Sequence, residues 1–250
     1  MMLATLRSAA SWALDRVLPP RCVGCGMLTG AAHSLCLPCW QALPPLLDPH
    51  CPVCAETLPL GTFEGAQCGG CLADPPRFAA TRAPHRYDGT ARLMVLALKH
   101  GARETLATPM GSAMARAAGD WLAADTLLVP VPLHRSRLGS RGFNQSAWLA
   151  RAIARHGGML SLDLLIRRRA TESTKGKGRV ARLKEMTGAF AVPPAARAQL
   201  KDRHVILVDD VMTSGATARA CARTLRRAGA ASVKLLVYAR VAPDRTLLHL

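Results

Sequence analysis

Cysteine placement constrains this chain more than any other feature. Eight of its nine cysteines fall between residues 22 and 71 as four Cys-x-x-Cys pairs: Cys22/Cys25, Cys36/Cys39, Cys51/Cys54 and Cys68/Cys71. Two intervening residues let both thiolates of a pair reach one ion from a tight turn. Two such turns complete a tetrahedral four-thiolate site. Chain order groups the pairs into two sites with loops of ten and thirteen residues between their halves, and spacing alone leaves crossed pairing open. Four thiolates close the coordination sphere, so two structural Zn²⁺ centres are expected. A disulfide framework is the competing reading and needs an oxidising compartment. Segment 19–75 has few apolar residues, so metal is expected to supply much of its stability.

Residues 1–18 place Leu3, Leu6, Ala10, Leu14 and Val17 at helical spacing ahead of Pro19-Pro20, which predicts a short amphipathic helix. This start lacks the continuous apolar core of a secretory signal, and Asp15 sits where a cleavage region would lie. No run reaches the ~18 apolar residues of a membrane span. A cytoplasmic protein with no membrane insertion is expected.

The formal net charge is +17, and it is unevenly spread. Residues 1–80 carry four arginines and no lysine against five acidic residues; residues 81–250 carry 29 basic and 11 acidic side chains. The excess belongs to the second region and asks for a polyanionic substrate or partner. It is densest over 133–185, with thirteen Lys/Arg and three Asp/Glu. Arg135, Arg137 and Arg141 crowd what reads as a short loop with Gly139 and Gly142, while Lys175, Lys177 and Arg179 lie farther on. These six are candidates for contact with a nucleic acid. Only Phe143 and Trp148 offer stacking there, so such binding would be backbone-dominated and salt-sensitive.

After Asp74-Pro75-Pro76, which reads as a linker, residues 79–250 alternate short aliphatic strands with helices. Strands are expected near 80–87, 127–131, 188–192, 204–209 and 233–239, and helices near 90–98, 104–123, 144–156 and 216–228. That alternation predicts an α/β domain with a mainly parallel sheet covered on both faces. Cys221, at helical spacing with Ala218, Ala222 and Leu225, reads as a small core residue.

Ligands on such sheets bind at the carboxyl ends of strands. One end reads VILVDDVMTSGAT over 205–217. Two adjacent carboxylates, Asp209 and Asp210, precede a hydroxyl-rich turn that opens a helix. The free N–H groups and dipole of that helix start favour a phosphate, and Gly215 lets the backbone approach it closely. The carboxylates beside a phosphate cradle are then explained by hydroxyls, or by a divalent cation, on the same ligand. A sugar phosphate satisfies both halves. A plain N-capped helix, with Thr213 or Ser214 as the cap, leaves the two aspartates without a reason.

The same stretch resembles the phosphoribosyl-pyrophosphate (PRPP) signature of type I phosphoribosyltransferases. With PPRCVGCG, the four cysteine pairs, LLVPVPLHRSRLGSRGFNQSAWLARAIA and the closing VKLLVYAR, the chain resembles the ComF family over roughly residues 19–240. The resemblance implies that Asp209 and Asp210 act on the ribose hydroxyls, directly or through Mg²⁺. It implies that Thr213, Ser214, Gly215, Ala216 and Thr217 hold the 5′-phosphate. Leu133, His134 and Arg135 would stand in the pyrophosphate loop, and 167–187 would be a loop closing over the ligand. Thr174 and Glu185 depart from the family pattern in that loop. The implied role is PRPP binding linked to DNA uptake in natural transformation, with single-stranded DNA or uptake proteins as partners. The alternative is an active phosphoribosyltransferase acting on a nucleobase or related nucleophile.

Overall fold

The computed structural model describes residues 19–30, 34–101, 103–169, 186 and 188–242. The helix expected over 1–18, and residues 170–185 with Thr174, Lys175, Lys177, Arg179 and Glu185, lie outside those residues.

The cysteine-rich segment is built twice on one plan. Arg21 bridges Leu28 around the first knuckle, and His50 bridges Thr57 around the third, 29 residues later. The turn bonds match: Gly26 N donates to Cys22 O, and Ala55 N donates to Cys51 O. Gly26 and Ala55, at equivalent positions, both take positive φ, which closes the knuckle. Cys36 and Cys68 each start a short helix, α1 (Leu37–Gln41) and α2 (Gly69–Ala73), which brings Cys39 and Cys71 back toward the knuckle.

Beyond it the chain forms a wholly parallel main sheet. β1 (Thr81–Arg82) and β2 (His85–Arg86) run beside β8 (Ser232–Arg240), followed in order by β7 (His204–Met212), β3 (Leu127–Pro130) and β4 (Met159–Leu160). Val205, Ile206, Leu207 and Val208 are all buried, as an unbroken aliphatic run covered on both faces must be. On one face α3 (Gly89–His100), α4 (Ala107–Ala118) and α6 (Gln145–Ala154) pack Met94, Leu98, Met110 and Ile153 against Ile206, Val208 and Leu236. Gly111 makes the α4–α6 approach possible, since a Cβ there would stand 2.4 Å from that of Ala152. On the other face α8 (Ala216–Arg227) packs Cys221, Ala222 and Leu225 against Leu207 and Leu235, so Cys221 is a core residue as expected. Cys51, Cys54, Cys68 and Cys71 join this same core. α7 (Arg197–Leu200) is a single turn ahead of β7.

Two expectations change. The strand near 188–192 shrinks to β6 (Phe190–Ala191), which pairs antiparallel with β5 (Ile166–Arg167) apart from the main sheet. Gly188 at φ +69° before it and Pro193-Pro194 after it cut the run short. The expected loop at 135–141 is a helix, α5 (Arg135–Arg141), capped by the His134 side chain and closed by Gly142 at φ +79°. Helical geometry separates its arginines: Arg137 and Arg141, four apart, share a face, and Arg135 is turned away from them.

Candidate functional site

The cysteines assemble into two four-sulfur clusters, Cys22/Cys25/Cys36/Cys39 and Cys51/Cys54/Cys68/Cys71, with the ligand atoms of each within 4.8 Å of one another. Grouping therefore follows chain order. Sulfurs of Cys25 and Cys36, and of Cys54 and Cys68, stand 3.5 Å apart. A tetrahedral ion with ~2.3 Å bonds to sulfur needs ligands at about this separation. Backbone N–H groups of Gly24 and Cys36 donate to Cys22 Sγ, and such bonds bring its thiol down to about 6 in spite of desolvation. Burial, reinforced by neighbouring thiols, pushes Cys39 and Cys54 up to about 12. Four thiolates cannot coexist in such a space without a cation, so the donor sets fit Zn²⁺. The first cluster is partly exposed; the second is wholly buried.

The second constellation gathers where β7 passes the end of β3. Pairing between them stops at Pro130–Val208, while β7 continues beside β8 to Met212. Asp209 and Asp210 lie just past that point. Successive strand residues face opposite sides, so the neighbouring carboxylates have different partners. Asp210, 2% exposed, meets the Lys99 ammonium of α3 at 3.0 Å. Burial pulls that lysine down, but the charges of Asp210 and Asp209 outweigh it and raise it overall. Asp209 turns to the side where it borders the 213–217 turn. Its Oδ1 accepts from Ser146 Oγ at 2.9 Å and from the Asp210 N–H at 2.9 Å. Desolvation first, then the charge of Asp210, pushes the Asp209 carboxyl up to about 7.

The segment before Ser146 explains its own motif. Asn144 caps α6 by accepting from Ser146 N, and its Nδ2 donates to Val131 O at 3.1 Å. Arg141 donates to Gln145 Oε1 at 2.9 Å, and Phe143 stacks on Trp148 at 4.1 Å. RGFNQS thus ties the segment leaving β3 to the start of α6 and aims Ser146 at Asp209.

The segment expected to hold a phosphate is a helix start without a side-chain cap. Gly215, at φ +76°, is the N-cap of α8, so neither Thr213 nor Ser214 caps it. Its first N–H groups remain available to a ligand. A small cavity of about 60 Å³ is bounded by Asp209, Thr213, Ser214, Gly215, Ala216 and Thr217, bringing the expected residues together. Leu133, His134 and Arg135 do not border it. His134 Nδ1 accepts from Ser136 N at 3.2 Å, and Arg135 is exposed.

Three residues escaped the sequence reading. Lys99 and Ser146 sit on helices whose pattern announces only packing. Arg240, 6% exposed at the end of β8, donates to Met212 O (3.2 Å) and Thr213 O (2.7 Å) at the root of the turn. It also donates to Cys54 O (2.9 Å) in the second cysteine knuckle and approaches Glu56 Oε2 at 3.4 Å. One guanidinium thus joins a cysteine knuckle to the 213–217 turn.

Fold and site define a protein of the phosphoribosyltransferase kind behind a double zinc ribbon. Comparison with known families agrees: a double zinc ribbon domain matches residues 13–72, and a phosphoribosyl transferase domain matches 145–247. Over 227 residues the chain is 25% identical to Competence protein F of Haemophilus influenzae, covering 88% of this chain and 96% of that one. It is 29% identical over 231 residues to DNA utilization protein YhgH of Salmonella typhi, covering 89% and 98%. The architecture and these relatives bear out the ComF-family resemblance. The solved hypoxanthine-guanine phosphoribosyltransferase of L. donovani overlaps more loosely, at 18% identity over 59% of this chain and 71% of that one, with a TM-score of 0.33.

Proposed function

We propose that this protein binds PRPP or a closely related sugar phosphate and serves DNA uptake in natural transformation. The observation that carries the ligand is the uncapped start of α8 facing a shared carboxylate: N–H groups and hydroxyls for the 5′-phosphate, Asp209 for the ribose hydroxyls. The DNA-linked role is supported by relatives whose names concern competence and DNA utilization. Those names do not favour base salvage as the alternative. The eight ribbon thiols are unbridged, which suits a reducing cytoplasm.

The acidic pair carries less negative charge than its sequence implies, because Lys99 holds Asp210. That donor set suits ribose hydroxyls. Asp209 would be the residue to hold a Mg²⁺ arriving with PRPP, and the ion would neutralise charge on the ligand's pyrophosphate.

Thermal unfolding of the zinc-loaded protein tests the reading. PRPP with Mg²⁺ raises the melting temperature as ligand concentration rises, the added stability reaching about 2.7 kcal/mol at a hundredfold excess over Kd. Ribose 5-phosphate, lacking the pyrophosphate, gives a smaller shift. No shift with either ligand rejects the proposal.

A further inference from the structure

α8 carries Arg219, Arg223 and Arg227 at four-residue intervals, which sets three side chains along one face about 6 Å apart. Two recesses flank that face. One, of about 590 Å³, is bounded by Arg223, Arg226 and Arg227 with Asp74, Pro76 and Arg77 of the segment joining the ribbons to the sheet. The other, of about 350 Å³, is bounded by Arg223 and Arg227 with Arg168, Arg197 and Phe190.

Structural duties account for two of these arginines. Arg219 donates to the carbonyl and carboxylate of Asp74, at 2.7 and 3.0 Å. Arg226 donates to the carbonyls of Ala230 and Ala231 behind the helix. Among the described residues, Asp74 is the lone acidic residue bordering either recess, and Arg219 already holds it. Arg77, Arg168, Arg197, Arg223 and Arg227 are exposed, and none makes an ion pair among the described residues. The helix dipole favours cations in a last turn and explains Arg226 and Arg227. It does not explain why Arg77, Arg168 and Arg197, from three separate segments, converge on them. Like charges gathered this way repel until a polyanion neutralises them. The face also begins at the phosphate turn, since Ala216 borders both the sugar-phosphate cavity and the second recess.

We propose that the arginine face of α8 is a track for the phosphate backbone of single-stranded nucleic acid. The choice of partner rests on the DNA-linked role above; the surface takes Arg168 from the basic run over 133–185 but none of Arg135, Arg137 and Arg141. Exposed guanidinium groups set around two recesses suit a flexible strand that can dip between them, whereas a stiff duplex spans the recesses. Among the described residues Phe190 is the one aromatic residue bordering either recess, and it is buried, so those residues offer no stacking platform. Binding is therefore indifferent to base identity and steep in salt.

The test titrates the full-length, zinc-loaded protein into labelled oligothymidylate and oligoadenylate over a range of salt. For wild type, log affinity falls linearly with log salt on both strands. Changing Arg223→Ala together with Arg227→Ala shallows the slope by about 1.4, at roughly 0.7 for each phosphate left unneutralised. Arg223→Lys with Arg227→Lys, which keeps the charge, retains the slope and controls for folding. Changing Arg135, Arg137 and Arg141 to alanine leaves it unchanged. An unchanged slope in the α8 alanine variant, its loss in the triple variant instead, or no wild-type binding at ~50 mM salt overturns the proposal. PRPP-dependent stabilisation of the same samples shows whether the sugar-phosphate reading falls with it or stands.

Discussion

Asp209 is held in a form that costs the apoprotein stability. Its ordinary carboxyl value is 3.8, and burial beside Asp210 raises it to about 7. A raised folded value means the folded state keeps its proton longer than the unfolded chain. The associated stability is complete below about pH 4 and is lost as pH rises through 7. Asp209→Asn cannot ionise, so it escapes that loss. Urea unfolding should find the variant equal to wild type near pH 4 and about 1–3 kcal/mol more stable at pH 8. His85, lowered by desolvation to about 4, has the opposite dependence: its contribution is present above pH 6.5 and lost as pH falls through 4. That slope is common to both proteins and cancels in their difference. Parallel pH profiles would show that the Asp209 environment has been misjudged. The motif announced both aspartates, but not their division of labour. Lys99 lies 111 residues before Asp210 on an amphipathic helix, and only the packing of α3 against the sheet brings the two together.

Among the elements, the two cysteine clusters look equivalent in sequence and are unequal in the fold. Cys51, Cys54, Cys68 and Cys71 share a core with Phe78, Leu207 and Leu225, whereas the first cluster is partly solvated. Cys25→Ser should therefore lose one zinc with a modest fall in melting temperature. Cys68→Ser should lose one zinc with a much larger fall, because the vacated ligands belong to the main core. Equal falls would contradict that continuity. Arg240 extends the argument. Replacing it with methionine strips the guanidinium from the carbonyls of Cys54 and Thr213, while Met212 O keeps the Val241 N–H; the buried Cys54 carbonyl costs roughly 1–3 kcal/mol when unsatisfied. Arg240→Met should retain both zinc ions by elemental analysis and lose most PRPP-dependent stabilisation. Normal PRPP binding would make Arg240 a purely structural residue. Strands β7 and β8 were legible as long aliphatic runs, and the knuckles as spacing. α5 was not, because RSRLGSR has a glycine near its centre and takes its cap from a histidine. β4 and β5, at two residues each, are too short to leave a periodic pattern.

At the scale of the whole molecule, charge and architecture belong together. The sheet separates a face covered by α3, α4 and α6 from one shared by α8 and the second ribbon cluster. The 213–217 turn, the second cysteine knuckle and the arginine face all meet on the second side, within reach of Arg219 and Arg240. Composition showed that the basic excess lies beyond residue 80. Within that region the run at 133–185 is visible in sequence, whereas the convergence of Arg77, Arg168 and Arg197 on α8 is not. The central claim remains the sugar-phosphate site, and calorimetric titration of PRPP with Mg²⁺ into wild type and Asp209→Asn tests it most directly. One PRPP should bind per wild-type chain, and the variant, folded and no less stable, should bind at least tenfold more weakly, a loss of about 1.4 kcal/mol. Equal affinity in the two proteins, or no heat of binding in the wild type, would contradict the account.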